Sequence, residues 1–163
     1  DFDRGLNDRG YRAAAVMGRW AALQGLEMDA IIASPAVRVV ETLKQFREAY
    51  GPSPEPVHDM RLYLASGATI GEVLAETDAA HQAVLLAAHS PGLEEFILTS
   101  SAREARTGLI AAVEIKFPTA AMAVLDFDID NWADLASDIA KRATLRTFVR
   151  PRDLDRSLGP DMP

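Results

Sequence analysis

Apolar positions along this chain fall into two patterns. From Asp8 to about Gln24 they recur at helical spacing, with Ala13, Val16, Met17, Trp20 and Leu23 on one face. Asn7 or Asp8 can cap that helix, and Gly25 followed by Leu26 is a stop signal with its apolar latch. The runs at 30–33 and 83–88 are instead continuously apolar, the pattern of strands buried on both faces. Each leads into a Ser-Pro step, Ser34-Pro35 and Ser90-Pro91. Serine as N-cap with proline in the first turn predicts a helix at each. The first would run from Ala36 to about Ala49 with Val39, Val40, Leu43, Phe46 and Tyr50 inward; the second would run to about Thr99.

The rest of the chain completes an alternating order. Pro52, Pro54 and Pro56 predict a loop, and Thr69 with Glu72 predicts a capping box for a short helix bearing Ile70, Val73 and Leu74. The Ala-rich stretch 103–116 favours helix over strand. Strands are expected at Met122 to Phe127 and Leu145 to Val149, and a loop or frayed tail from Pro151. Helices separating buried strands give an α/β sandwich. If the two apolar strands lie parallel in one sheet, both following helices open at the same edge. Their free amides, with Arg38 and His89 beside them, would then form an anion pocket.

Composition narrows the function. The 163 residues suit one domain, and a net charge of −7 argues against general binding to nucleic acid or anionic membranes. There is no cysteine, so disulfides, thiolate catalysis and cysteine-type zinc sites are excluded, which fits a cytoplasmic enzyme. No apolar stretch approaches the roughly 18–20 residues of a membrane span. The sequence opens Asp1-Phe2-Asp3 without an initiator methionine, so a preceding segment is expected.

Arg38 falls about one turn into its helix, where a guanidinium can fork onto two phosphoryl oxygens; by position alone, a surface arginine is the favoured reading. His89 ends a buried strand and reads either as a phosphoryl ligand or as a capped core histidine. His81, at the start of the same strand, is expected about 26 Å away at the opposite edge. His58 lies in the Pro-rich loop, with a minor claim to line a pocket. Asp126, Asp128 and Asp130 imitate the opening of a calcium loop, but Asn131 and Ser137 stand where glycine and glutamate are needed, so no metal is expected. Glu94 and Glu95 read as helix-end charges. No H-E-x-x-H, Walker loop or G-x-S-x-G is present.

Several stretches together resemble the histidine phosphatase superfamily, in its small phosphohistidine phosphatase (SixA-type) branch. They are Asp3-Arg4-Gly5-Leu6-Asn7-Asp8-Arg9-Gly10, then Ser34-Pro35-Ala36-Val37-Arg38 with Glu41-Thr42, and Asp59-Met60-Arg61-Leu62-Tyr63-Leu64-Ala65-Ser66. Ala88-His89-Ser90-Pro91-Gly92-Leu93-Glu94, the stretch from Pro118 to Leu125 and the closing Val149-Arg150-Pro151-Arg152-Asp153-Leu154 also fit. Ser90 stands where many relatives have asparagine, and Gly5 where they have proline.

The resemblance implies a three-layer sandwich with a mixed, mainly parallel central sheet, like that of phosphoglycerate mutase, and no cofactor. It matches Arg38 to the family's second arginine and His89 to its second pocket histidine, with Ser90 beside them on the phosphate. In the family the attacking histidine sits in an Arg-His-Gly step at the end of the first strand. That step has no counterpart in this sequence and would precede Asp1; neither His58 nor His81 stands in such a context. The branch also lacks a general-acid glutamate, and Arg61-Leu62-Tyr63 agrees. Three readings follow: a phosphohydrolase acting on phosphohistidine in proteins, a small-molecule phosphomonoesterase on the same scaffold, and a non-catalytic phosphate-binding module. The expected partner is a phosphorylated protein or a small phosphate ester.

Overall fold

The computed structural model describes residues 1–101, 108–137 and 143–159. Helix α1, Asp8–Leu23, is capped by Asn7, whose side chain accepts from the Gly10 amide at 2.8 Å. Strand β1, Ala30–Ala33, leads to α2, Val37–Tyr50; β2 is Pro56–His58, followed by a 3-10 turn at Met60–Leu62. Helix α3, Gly67–Ala75, precedes β3, Val84–Ala87, and α4, Gly92–Ser100. Then come α5, Gly108–Ile115, β4, Met122–Phe127, α6, Asp134–Ser137, β5, Ala143–Val149, and α7, Pro151–Leu154.

The fold is an α/β sandwich whose main sheet is parallel, in the order β2-β1-β3. Side chains alternate across it as the pleat requires. Ile31, Ala33, Leu85 and Ala87 face α2, while Ile32, Val84 and Leu86 face the cluster of α3, α4 and α6. The register pairs Ala33 with Ala87, so β1 and β3 end level. Ser34 donates its amide to the Ala87 carbonyl at 2.9 Å and Asp59 donates its own to Ala33 at 2.9 Å, which ties all three strand ends into one rim.

Strands β4 and β5 form a separate antiparallel pair. It packs on α4 and α5 through Ile97, Ile110, Val113, Leu145 and Phe148, and on α1 through Met17, Met122 and Val149. Among the described residues β3 pairs only with β1, and β4 only with β5. An apolar groove runs between those two strands, floored and roofed by α1 (Ala14, Met17) and by α3 and α4 (Ile70, Leu74, Phe96, Ile97).

Several local expectations are corrected. The buried stripe of α1 is Gly10, Ala13, Ala14, Met17, Gly18 and Ala21, whereas Leu23 is 85% exposed. Small residues face α2 because the two backbones meet closely: a Cβ on Gly18 would run into the Phe46 carbonyl. Val40, expected inward, is exposed. Pro56 opens β2 rather than a loop, which an edge strand allows at its first residue. The cap of α3 is Ser66, accepting from the Thr69 amide at 3.2 Å, three residues before the Thr69 expected. The tail is ordered through Leu158: Pro151 starts α7, Arg150 and Asp153 brace its first turn, and Pro151 and Leu158 are buried. The helix expected over 103–116 is seen from Gly108, and 103–107 lie outside the described residues.

Candidate functional site

The groove, about 1530 Å³, reaches the rim where β1 and β3 end, and Arg38, His89 and Ser90 all line it there. Arg38 is the second residue of α2, about a third exposed, and its Nη2 lies 3.1 Å from the Asp1 carboxylate. A carboxylate is an oxyanion, so this contact displays what the guanidinium can hold. His89 follows β3 by two residues and is half-buried. Its Nε2 lies 2.8 Å from Ser34 Oγ, and Tyr63 meets its ring edge-on, with centroids 5.5 Å apart. Tyr63 is braced in turn by Phe2, at 5.1 Å. Burial, and then the positive charge of Arg38, hold the imidazole below the ordinary histidine value of 6.5. The ring is therefore neutral at neutral pH.

The Ser-Pro junctions act differently from simple caps. Ser34 is fully buried, and its hydroxyl accepts from the Ala36 amide at 3.2 Å while facing His89. The Val37 amide donates to the Phe2 carbonyl at 3.0 Å. The amides of Ala36 and Val37 are thus occupied, and at this junction the Arg38 side chain is the group placed to hold an anion. At the second junction the Ser90–Pro91 bond is cis, Pro91 holds the cap position of α4, and Ser90 donates its hydroxyl to Phe117 at 3.2 Å.

Neighbouring contacts fix this rim. Glu41 accepts from the Leu6 amide at 2.7 Å and lies against Gly5, where a Cβ would meet its carboxylate at 3.0 Å; it holds the 4–6 stretch on α2. Arg61 grips Asp59 and Glu76, each at 2.7 Å, and its hydrogen bonds push both carboxyls below their usual values. Acids held ionised in this way are poor proton donors at neutral pH. Glu95 accepts from the Gly67 amide at 3.0 Å and so joins α4 to α3.

Among the described residues, no hydrogen bond or ion pair joins the remaining candidates to Arg38 or His89. His81 borders the far end of the groove, where Asp29 accepts from the Gln82 and Ala83 amides. His58 ends β2, exposed, beside a separate hollow near Arg47 and Glu55. Asp126 pairs with Arg146 across the β4–β5 ladder at 3.3 Å and borders the groove together with Asp130, while Asp128 is exposed between half-buried Phe127 and Ile129. Sequence reasoning missed Ser34 and Tyr63 as partners of His89. Ser34 reads naturally as a cap, and Tyr63 is brought in only by the 3-10 turn after β2.

No family model matches the sequence. A protein of Mycobacterium leprae is 30% identical over 154 residues, covering 93% of this chain and 89% of its own length. One of Mycobacterium tuberculosis is 28% identical over 136 residues, 83% of each. Both are uncharacterised. Among solved structures, the protein assigned as the phosphohistidine phosphatase SixA of Agrobacterium tumefaciens superposes with a TM-score of 0.74 at 28% identity, over 93% of this chain and 86% of that one. Its counterpart from Nakamurella multipartitia gives 0.76 at 28%, over 93% and 87%. A protein histidine phosphatase SixA complexed with tungstate shares the fold, with a TM-score of 0.75 at 18% identity over 95% and 89%.

Proposed function

The chain belongs to the SixA-type branch of the histidine phosphatase superfamily, and from that premise we propose that it removes a phosphoryl group from phosphohistidine in a protein, through a phosphohistidine enzyme intermediate. One observation carries the reading: Arg38, which already holds a carboxylate, and a neutral His89 line the same end of one groove.

In this reading Arg38 takes two equatorial oxygens of the phosphoryl group and a His89 N–H takes another, with Ser90 bordering them. Both offset the charge that spreads over those oxygens during in-line transfer. The attacking imidazole is the one the family carries in its Arg-His-Gly step. A new P–N bond forms to it as the P–N bond to the substrate imidazole breaks, and the departing imidazole keeps its proton. Water then attacks phosphorus, releases inorganic phosphate and restores the nucleophile.

We place the strand bearing that step in the groove. Its middle is walled by apolar side chains of α1, α3 and α4 (Ala14, Met17, Ile70, Leu74, Phe96 and Ile97), and the outer edges of β3 and β4 border it without partners of their own among the described residues. A phosphoramidate needs little help from a protein acid, because its nitrogen can be protonated before the bond breaks. The carboxyls of Asp59 and Glu76, both engaged by Arg61, suit such a substrate.

Hydrolysis of a phosphohistidine protein by the full-length gene product is the test. Arg38→Ala and His89→Ala should each lower kcat/KM by about 10²–10³-fold. Full activity in both variants would overturn the site, and a preference for alkyl phosphates would overturn the substrate.

A further inference from the structure

We infer that Ser34 is a positioning residue that decides which nitrogen of His89 carries the proton. Its hydroxyl donates to Nε2, leaving Nδ1–H as the ring's only donor. A serine hydroxyl has one proton and two lone pairs. One lone pair of Ser34 Oγ is taken by the Ala36 amide, and the oxygen has one other partner among the described residues, His89 Nε2 at 2.8 Å.

Two arrangements fit that distance. If Nε2–H donated to Ser34, the hydroxyl proton would be left without an acceptor at a fully buried position that water does not reach. A stranded buried donor costs roughly 1–3 kcal/mol. If the hydroxyl donates to Nε2 instead, every group is satisfied. The second arrangement needs a ring with a lone pair on Nε2, and a neutral imidazole has one.

The location makes the arrangement rigid. Ser34 follows β1 directly and donates its own amide to Ala87 at the end of β3, so backbone fixes its place beside the strand that carries His89. Tyr63, edge-on to the imidazole, resists rotation of the ring. What the Nδ1–H then does rests on the function proposed above: it would be the donor that His89 offers a phosphoryl oxygen.

The test reads the ring directly. Imidazole ¹⁵N signals of His89 are recorded in the full-length protein near pH 7.5 and assigned by their loss in His89→Gln. The expected result is a single neutral Nδ1–H tautomer in the wild type and a mixture of tautomers in Ser34→Ala. With inorganic phosphate as probe, Ser34→Ala should bind more weakly in proportion to the lost tautomer, about twofold if the ring divides evenly. An Nε2–H ring in the wild type overturns the inference even if Ser34→Ala does not fold. An unchanged Nδ1–H signal in folded Ser34→Ala overturns it as well. Neither readout needs turnover, so failure to hydrolyse phosphohistidine would refute the proposed activity and leave the tautomer result standing.

Discussion

His89 departs furthest from the behaviour of a free side chain, and the causes are separable. Burial is the larger, and the guanidinium of Arg38 adds to it in the same direction. Both disfavour imidazolium, so the folded-state midpoint lies below 6.5. The ring's contribution to stability is present above the unfolded value and is lost as pH falls through the folded one. An NMR titration should therefore place the His89 midpoint below 6.5, and Arg38→Gln should raise it only part of the way, since burial remains. A midpoint at or above 6.5 in the wild type would contradict this. At this scale the sequence was half legible. Arg38 and His89 stand out because each follows a buried apolar run, but the partners of His89 do not. Ser34 has two possible duties, and a sequence cannot say which burial will select. Tyr63 reaches the ring by a turn that no periodicity announces.

Among the elements, the long periodic ones were readable and the short ones were not. The spacing in α1 and the apolar runs of β1 and β3 carry enough residues for pattern to win. Strand β2 has three residues and begins with proline, and α7 has four; tertiary contacts decide segments that short. The junction between β3 and α4 depends on a close approach: a Cβ on Gly92 would run into the Ala65 carbonyl. Gly92→Ala should push the start of α4 away from the loop before α3, destabilise the fold by about 1–3 kcal/mol in urea denaturation, and lower activity through the displaced His89. Gly108→Ala, where a Cβ meets nothing within 4 Å, is the control and should change stability little. Equal effects of the two substitutions would contradict the packing account.

For the whole molecule, architecture sets where charge can matter. The chain carries a net charge of −7, yet an arginine and a neutral histidine line the same end of its one large groove among the described residues. Parallel strands that finish level bring together side chains 51 residues apart, Arg38 and His89, and that convergence was foreseeable from the two apolar runs. The separation of β4 and β5 into their own sheet was not, because each reads simply as another strand. The groove lies between β3 and β4, where we place the nucleophile strand.

The central claim is that Arg38 and His89 bind one phosphoryl oxyanion together, and calorimetric titration of the full-length protein with inorganic phosphate tests it most directly. The account predicts one phosphate per chain, weakened at least tenfold by Arg38→Ala or His89→Ala (about 1.4 kcal/mol), with the double variant losing less than the sum of the two because they share a ligand. Phosphate binding of wild-type strength in both single variants would contradict it.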